Sequence, residues 1–187
     1  PFKRKTVSFY KYFFCKNPQT FRDSLYRNWD KIKVFGRIYV SKEGINAQLS
    51  VPENHWCDFL NTLNNYPELL NIPLKKAYQE GSSFFKLTIK VREELVAFGI
   101  SEHEYSMERV DNHLSAQDFN RALENPNTII VDMRNHYESE IGRFKKAIVP
   151  KVENSKKLLP TVNRILAGHK NAKVLLYCTG GIRCEKA

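Results

Sequence analysis

The stretch VLLYCTGGIRCEKA (174–187) places a cysteine directly after a short apolar run and follows it with two glycines. Residues 174–177 are too few and too apolar for a half-exposed strand, so they predict a buried parallel one. In open α/β sheets, ligand and active-site groups collect at the carboxyl ends of such strands. Cys178 therefore stands where an α/β domain places its reactive side chains.

The residues after Cys178 favour a thiolate over a thiol. Thr179 and the two glycines supply backbone that can turn tightly and direct N–H groups inward, and a helix is predicted to begin near Ile182 or Arg183. Backbone N–H groups, a helix N-terminus and a neighbouring cation all lower the pKa of a thiol. We predict that Cys178 is a nucleophile that can also hold a persulfide, with Cys184 as a candidate resolving thiol. The predicted active-site loop consists of Thr179, Gly180, Gly181, Ile182 and Arg183.

The spacing around Cys178 separates several kinds of cysteine site. A zinc site is disfavoured because five residues lie between Cys178 and Cys184 and no histidine follows nearby. A phosphotyrosine-type phosphatase loop requires Cys, five residues and then Arg, whereas Arg183 arrives one residue early. A buried structural cysteine beside a tight turn is the alternative to an active site.

An upstream segment, TIIVDMRNHYESEIGRFKKAI (128–148), predicts a strand that ends in Asp-x-Arg, followed by an acidic residue, a glycine and an alanine. Together with the loop after Cys178, this pattern resembles rhodanese domains, which move sulfur through a cysteine persulfide. We expect Asp132 and Arg134 to support the active loop and its neighbouring strand rather than to react. The matching positions are Asp132, Arg134, Glu138, Gly142 and Ala147.

Residues 1–100 show a different organisation. Their hydrophobic periodicity predicts strands at 6–14, 34–41, 45–52 and 84–91, with helices at 17–29 and 53–63. The order β-α-β-β-α-β is that of the ferredoxin-like fold. The polar stretch 101–113 predicts a linker, and residues 114–187 predict an incomplete α/β domain of the rhodanese type, with a helix capped by Ser115 and another at 156–167.

The charge of the chain is concentrated near its start. Net charge is +10, and residues 1–42 hold eleven Lys and Arg against two Asp, interleaved with aromatic residues. Cations and flat rings are what an RNA surface needs, and a solvated basic face is the alternative. The densest cluster, Lys3, Arg4 and Lys5, is the predicted RNA contact.

No apolar segment approaches the roughly 20 residues that cross a bilayer, so a membrane partner is not expected. No secretory leader is recognisable, so we expect the four cysteines to lie in a reducing cytoplasm, without structural disulfides. The start at Pro1 and the end soon after Cys184 suggest a piece of a longer protein.

The pairing of SKEGINAQLSV (41–51) with CTGGIRCEKA (178–187) resembles the rhodanese-containing tRNA uridine hydroxylase family, whose first domain is acylphosphatase-like. The resemblance implies formation of 5-hydroxyuridine at the wobble position of tRNA, with molecular oxygen as co-substrate and the anticodon stem-loop as partner. It places the active cysteine on Cys178. No metal or organic cofactor is expected, and the oligomeric state is left open.

Three other functions are compatible with these residues. A sulfurtransferase would carry a persulfide on Cys178. An acylphosphatase would use Asn46 and Arg37, but the glycine-rich phosphate loop that it needs after the first strand is missing. An RNA-binding adaptor would use Cys178 and Cys184 only as a redox-sensing pair.

Overall fold

The computed structural model describes residues 3–77, 83–100, 104–105 and 113–187, and the chain divides into two units, Pro1–Leu95 and Val96–Ala187. The division falls before residues 96–100, which the sequence predicts as the end of the first domain. Val96 and Phe98 are instead buried with Val131 and Met133 in a core of the second unit. Most of the predicted linker, 101–113, lies outside the described residues.

The first unit contains a five-stranded sheet. Its strand order is β4-β1-β3-β2-β5, antiparallel throughout except for the parallel pair β2 and β5. The elements in chain order are β1 (Arg4–Tyr12), α1 (Pro18–Lys31), β2 (Phe35–Ser41), β3 (Gly44–Pro52), α2 (Trp56–Asn64), β4 (Lys75–Ala77) and β5 (Leu87–Val91).

The predicted β-α-β-β-α-β order is present but is extended by one strand. The strand predicted at 84–91 is β5, which lies beside β2, while the unpredicted β4 pairs with the other edge of the sheet, at β1. β4 was missed because it is three exposed residues long and shows no alternation of apolar and polar side chains.

One face of this sheet packs against α1 and α2. Alternate residues such as Val7, Ile38 and Ile45 point to that face and are fully buried, together with Trp29 of α1 and Phe59 of α2. The indole N–H of Trp29 donates to the hydroxyl of Thr62 on α2 over 3.0 Å, which satisfies a polar atom inside the core.

The turn from β2 to β3 requires glycine. Gly44 has φ of 133°, and a Cβ there would lie 2.1 Å from the carbonyl oxygen of Lys11 on β1. The preceding side chain, Glu43, is buried and accepts a hydrogen bond from the backbone N–H of Leu95. The segment Glu43–Asn46 (EGIN) therefore joins β2 to β3 and contacts both β1 and the residues after β5.

The second unit is built on the parallel pair β6 (Thr128–Asp132) and β7 (Lys173–Tyr177), with Ile148 forming a further parallel bridge to Val131. Its helices are α3 (Ala116–Glu124), α4 (His136–Ile141), α5 (Leu158–Leu166) and α6 (Ile182–Lys186). Ser115 caps α3 as predicted, accepting the N–H of Asp118 over 3.1 Å. Within the part of the chain that the structure describes, no helix has the length and apolarity to span a membrane.

Candidate active site

The parallel register of β6 and β7 brings the two predicted motifs to the same edge of the second unit. Asp132, the last residue of β6, pairs with Tyr177, the last residue of β7. Cys178 follows immediately, and α6 begins at Ile182, where the sequence places it. Both chain segments thus leave the sheet at the carboxyl ends of their strands, the edge at which α/β folds bind ligands.

Cys178 is surrounded by hydrogen-bond donors. The thiol of Cys184 donates to its sulfur, and the backbone N–H groups of Cys184, Arg183 and Gly181 add to this, the last over 3.1 Å. These donors outweigh partial burial, which opposes ionisation, and lower the pKa of Cys178 to about 5. Cys178 is therefore a thiolate at neutral pH.

Cys184 has the opposite character. Donation of its proton to Cys178 and its burial both raise the pKa of Cys184 far above that of an ordinary thiol. Two sulfur atoms in contact thus hold one proton and one negative charge between them. Cys184 stabilises the charge on Cys178, and its role as a resolving thiol stays a prediction.

Gly181 gives the loop its curvature. Its φ of 93° lies in the left-handed region, where a residue with a Cβ is strained. This conformation turns the N–H of Gly181 back to Cys178 and starts α6 at the next residue. Glycine is therefore favoured at position 181 because the loop needs a positive φ there.

Glu138 connects the loop to the segment after β6. Its carboxylate accepts hydrogen bonds from the hydroxyl of Thr179, from the guanidinium of Arg183 over 3.2 Å, and from the backbone N–H of Asn135 over 3.0 Å. Burial favours the neutral acid, but these donors prevail and lower the pKa of Glu138. An ionised Glu138 therefore holds Thr179 and Arg183, which lie near the two ends of the loop after Cys178.

Asp132 organises the floor of the site. Its fully buried carboxylate accepts from the guanidinium of Arg134 over 2.7 and 2.9 Å, from the hydroxyl of Tyr177 over 2.7 Å and from that of Ser139 over 2.9 Å. Burial alone raises the pKa of this carboxyl, but Arg134, Tyr177 and Ser139 together hold it at about 2. Arg134 also donates to the carbonyl of Gly142 over 2.6 Å, so the pair shapes the loop after α4.

A pocket of about 410 Å³ opens beside Cys178. Two guanidinium groups and two aromatic rings line it, and the rings of Phe144 and Tyr177 meet edge to face with centroids 4.9 Å apart. Its lining residues are Arg134, Gly142, Arg143, Phe144, Tyr177, Cys178 and Thr179. A thiolate, cations and flat apolar walls suit a substrate that is both anionic and planar.

The structure thus brings together the predicted residues of the second unit, namely Cys178, the loop 179–183, Cys184, Asp132 and Arg134. Asp132 binds Arg134 and Tyr177 at the ends of the two strands, and a supporting role for Asp132 and Arg134 stays a prediction. Among the described residues, no group of three or more His, Cys, Asp or Glu side chains is arranged for a metal ion.

The predicted RNA-contact residues lie in the first unit, at the start of β1. Arg4 donates to Ser50 and to the carbonyl of Lys33, and it stacks on Phe35 at 4.1 Å. Lys5 lies over the ring of Trp56 at 5.2 Å, and Lys3 is exposed. Arg4 thus has a structural role inside its own unit, and an RNA contact by these three residues stays a prediction.

The sequence singled out Glu138 only as a position of the rhodanese pattern, and it gave no indication of the contributions of Ser139, Tyr177 and Arg143. A signal for Glu138 was present, because Asn-x-x-Glu at 135–138 is the pattern of a capping box that begins a helix. That helix, α4, was itself not predicted. Nothing in the spacing indicates that the same carboxylate reaches Thr179 and Arg183 more than forty positions later.

Comparison with known proteins agrees with both halves of this description. Residues 4–95 match the model of the UPF0176 acylphosphatase-like domain, and residues 115–187 match that of the rhodanese-like domain. The chain is 46% identical over 99% of its length to a tRNA uridine(34) hydroxylase of Hamiltonella defensa, and it covers 53% of that protein. It is 44% identical over 100% of its length to the protein of the same name from Leptospira interrogans, covering 51% of it.

A third relative of this name, from Escherichia fergusonii, is 45% identical over 98% of the chain, which covers 53% of that protein. The chain therefore spans about half the length of the curated relatives that it matches. Both domains are matched in the predicted order, and the similarity to these relatives extends over essentially all of the chain. The chain thus joins a UPF0176 acylphosphatase-like domain to a rhodanese-like domain, and it is similar over its whole length to proteins named tRNA uridine(34) hydroxylase.

Proposed function

We propose that the protein to which this chain belongs hydroxylates uridine at the wobble position of tRNA, forming 5-hydroxyuridine with molecular oxygen as co-substrate. The observation that carries the proposal is the Cys178 thiolate at a cationic, aromatic pocket, in a chain whose relatives carry the name tRNA uridine(34) hydroxylase. The anticodon stem-loop is the proposed partner and the cytoplasm the proposed compartment.

Cys178 activates the base by addition. A bond forms between its sulfur and C6 of uridine, and the electron pair of the C5–C6 double bond moves to C5. The electron-rich C5 then reacts with oxygen. After one oxygen atom has been retained at C5, loss of the C5 proton and departure of the Cys178 sulfur restore the double bond and release 5-hydroxyuridine.

The electron balance defines what an assay must contain. One atom of O₂ becomes the 5-hydroxyl group, and the other leaves as water after taking up two electrons and two protons. A dithiol reductant, which supplies two electrons by closing a disulfide, completes this balance. We therefore include such a reductant with O₂ in the proposed reaction.

The pocket residues have separate roles in this scheme. Arg134 forms an ion pair with Asp132 at 2.7 Å, so most of its positive charge is neutralised by that carboxylate. Arg143 is exposed and is the cation we assign to a substrate phosphate. Phe144 and Tyr177 present ring surface for the uracil, which places C6 near Cys178.

The test uses full-length protein, tRNA, a dithiol and ¹⁸O₂, with nucleosides analysed by mass spectrometry. The proposal predicts 5-hydroxyuridine that carries one ¹⁸O atom. Incorporation of oxygen from water instead of O₂ would overturn oxygen as co-substrate.

A sulfurtransferase is the alternative that the rhodanese-like domain favours, since a thiolate in this loop could also accept sulfur as a persulfide. Incubation with thiosulfate and cyanide distinguishes the two functions through release of thiocyanate. The hydroxylase proposal expects little thiocyanate from the wild type, and turnover that depends on Cys178 would favour the alternative.

A further inference from the structure

The first unit has a second sheet face, which points away from α1 and α2. Strand pairing aligns Tyr10, Asn46, Tyr39 and Lys90 in one row across β1, β3, β2 and β5. A parallel row holds Gln48 and Arg37, two residues away along β3 and β2 on the same face. We call these six residues, Tyr10, Arg37, Tyr39, Asn46, Gln48 and Lys90, the outer sheet face.

The outer sheet face has an unusual charge composition. The described strands hold seven Lys and Arg side chains and no Asp or Glu, and the pairing register places four of the seven, Arg4, Arg37, Lys75 and Lys90, on the side of the outer sheet face. Arg37, Gln48 and Lys90 are exposed, while Tyr10, Tyr39 and Asn46 are partly exposed. Such a face attracts a polyanion, and the described strand residues include no acidic side chain that would repel one.

Its aromatic rings are spaced for separate ligand groups. Tyr10 and Tyr39 lie two strands apart, a separation of roughly 10 Å at the usual strand spacing. Each ring has a cation over one of its faces, Lys75 at 5.6 Å from the centroid of Tyr10 and Arg92 at 5.3 Å from that of Tyr39. Asn46, between the two rings, offers an amide that can both donate to and accept from a base edge.

Aromatic rings on an open sheet, flanked by cations, match the way in which proteins bind single-stranded RNA: bases stack on the rings and phosphates contact the cations. We propose that the outer sheet face binds single-stranded RNA, with Tyr10 and Tyr39 each stacking on one base. The choice of RNA over another polyanion rests on the proposed function, in which the loop of the tRNA supplies the strand. The binding mode itself follows from the register and composition of the sheet.

The test is the affinity of the 187-residue chain for a fluorescein-labelled oligouridylate, measured by fluorescence anisotropy at several salt concentrations. Tyr39→Phe keeps the ring and is expected to bind as the wild type does, whereas Tyr39→Leu is expected to bind about 10-fold more weakly or worse. Should Tyr39→Leu fail to fold, as judged by circular dichroism, Tyr10→Leu against Tyr10→Phe makes the same comparison.

Matched charge variants test the cations. Arg37→Gln with Lys90→Gln should make the slope of log affinity against log salt shallower, by about 0.7 for each phosphate that is no longer bound. Arg27→Gln with Lys31→Gln removes the same charge from exposed positions of α1 and is expected to change the slope less. Equal effects of the two pairs, or unchanged binding by both leucine variants, would overturn the proposal.

Two further outcomes bear on it. If the wild type is a dimer by light scattering and only the outer-face variants are monomers with unchanged RNA affinity, the face joins two copies of the chain and the proposal fails. Hydroxylation is read separately, as 5-hydroxyuridine made by the full-length protein. If the outer-face variants lose RNA affinity but the full-length wild type forms no 5-hydroxyuridine, the RNA surface stands and the proposed hydroxylase function fails. If the full-length wild type forms 5-hydroxyuridine but the outer-face variants bind RNA as the wild type does, the function stands and the RNA surface fails.

Discussion

At the scale of single residues, the chemistry of the site rests on a proton held between two cysteines. Cys184 donates to Cys178 and is the largest influence on its ionisation, so the pKa of Cys178 falls to about 5 while that of Cys184 rises. A cysteine with a depressed pKa is ionised, and reactive, above that pKa. The pH profile of its alkylation therefore reports the contact directly.

Replacing Cys184 tests this assignment. We expect half-maximal alkylation of wild-type Cys178 by iodoacetamide near pH 5, because its pKa is about 5. Cys184→Ala removes the donor and should move the midpoint to higher pH, while Cys184→Ser keeps a donor and should move it less. The measurement is made in a Cys57→Ser background, since Cys57 is exposed and would react as well. An unchanged midpoint in Cys184→Ala would show that the thiol of Cys184 does not control Cys178.

The buried carboxylate of Asp132 makes a second prediction. Its pKa is about 2 in the folded protein and about 4 in an unfolded chain, so its ionisation stabilises the fold above about pH 5, and this stabilisation is lost as pH falls towards 2. Asp132→Asn should reduce the free energy of unfolding at pH 7 by about 3 kcal/mol, because Arg134 loses its buried partner.

Urea unfolding of wild type and Asp132→Asn across this pH range provides the measurement. The difference between the two proteins should shrink from pH 5 towards pH 2, where the wild-type carboxyl becomes protonated. A difference that stays constant with pH would mean that the charge of Asp132 does not contribute to stability.

At the scale of elements, α4 and the active loop behave as one assembly because Glu138 binds both. Glu138→Gln retains the size of the side chain but loses the charge that Arg183 and Thr179 recognise. We expect the full-length variant to form 5-hydroxyuridine about 10- to 100-fold more slowly, the usual cost of a displaced catalytic group. Glu140→Gln, on the exposed side of the same helix, is the control and should retain its rate. Equal rates for both variants would show that the loop does not need Glu138.

The elements that the sequence predicted well are those with strong local signals. Asn17 with Pro18, Ser115 with Asp118, and the Gly-Gly pair after Cys178 each mark the start of a helix, and α1, α3 and α6 begin there. β4 and α4 were missed because they are short and their stability depends on distant partners. β4 pairs with its neighbour β1, and α4 is bound through Glu138 to the loop after β7.

The site shows the same limit. Cys178 and the loop 179–183 were predictable because a strand, a cysteine and two glycines are adjacent in the chain. The pocket was not, since Arg143, Phe144 and Tyr177 meet only through the pairing of β6 with β7. The first domain was predicted to end at residue 100, whereas the first unit ends at Leu95. The apolar residues among 96–100 could pack in either core, and only the folded structure shows that Val96 and Phe98 pack in the second.

At the scale of the whole molecule, the two units carry different chemistry. The reactive thiolate lies in the unit Val96–Ala187, and the acid-free strands lie in the unit Pro1–Leu95. If tRNA is the substrate, as proposed, one unit supplies binding energy and the other the reaction, and the basic excess near the start of the chain serves substrate recognition rather than catalysis.

The proposed function depends most directly on Cys178 itself. In cells that lack the protein, full-length wild type and Cys57→Ser should restore 5-hydroxyuridine to tRNA, as measured by mass spectrometry of the nucleosides, whereas an equally abundant Cys178→Ala variant should not. Restoration of 5-hydroxyuridine by Cys178→Ala would contradict the role of the thiolate, and tRNA that is unchanged by loss of the protein would contradict the function.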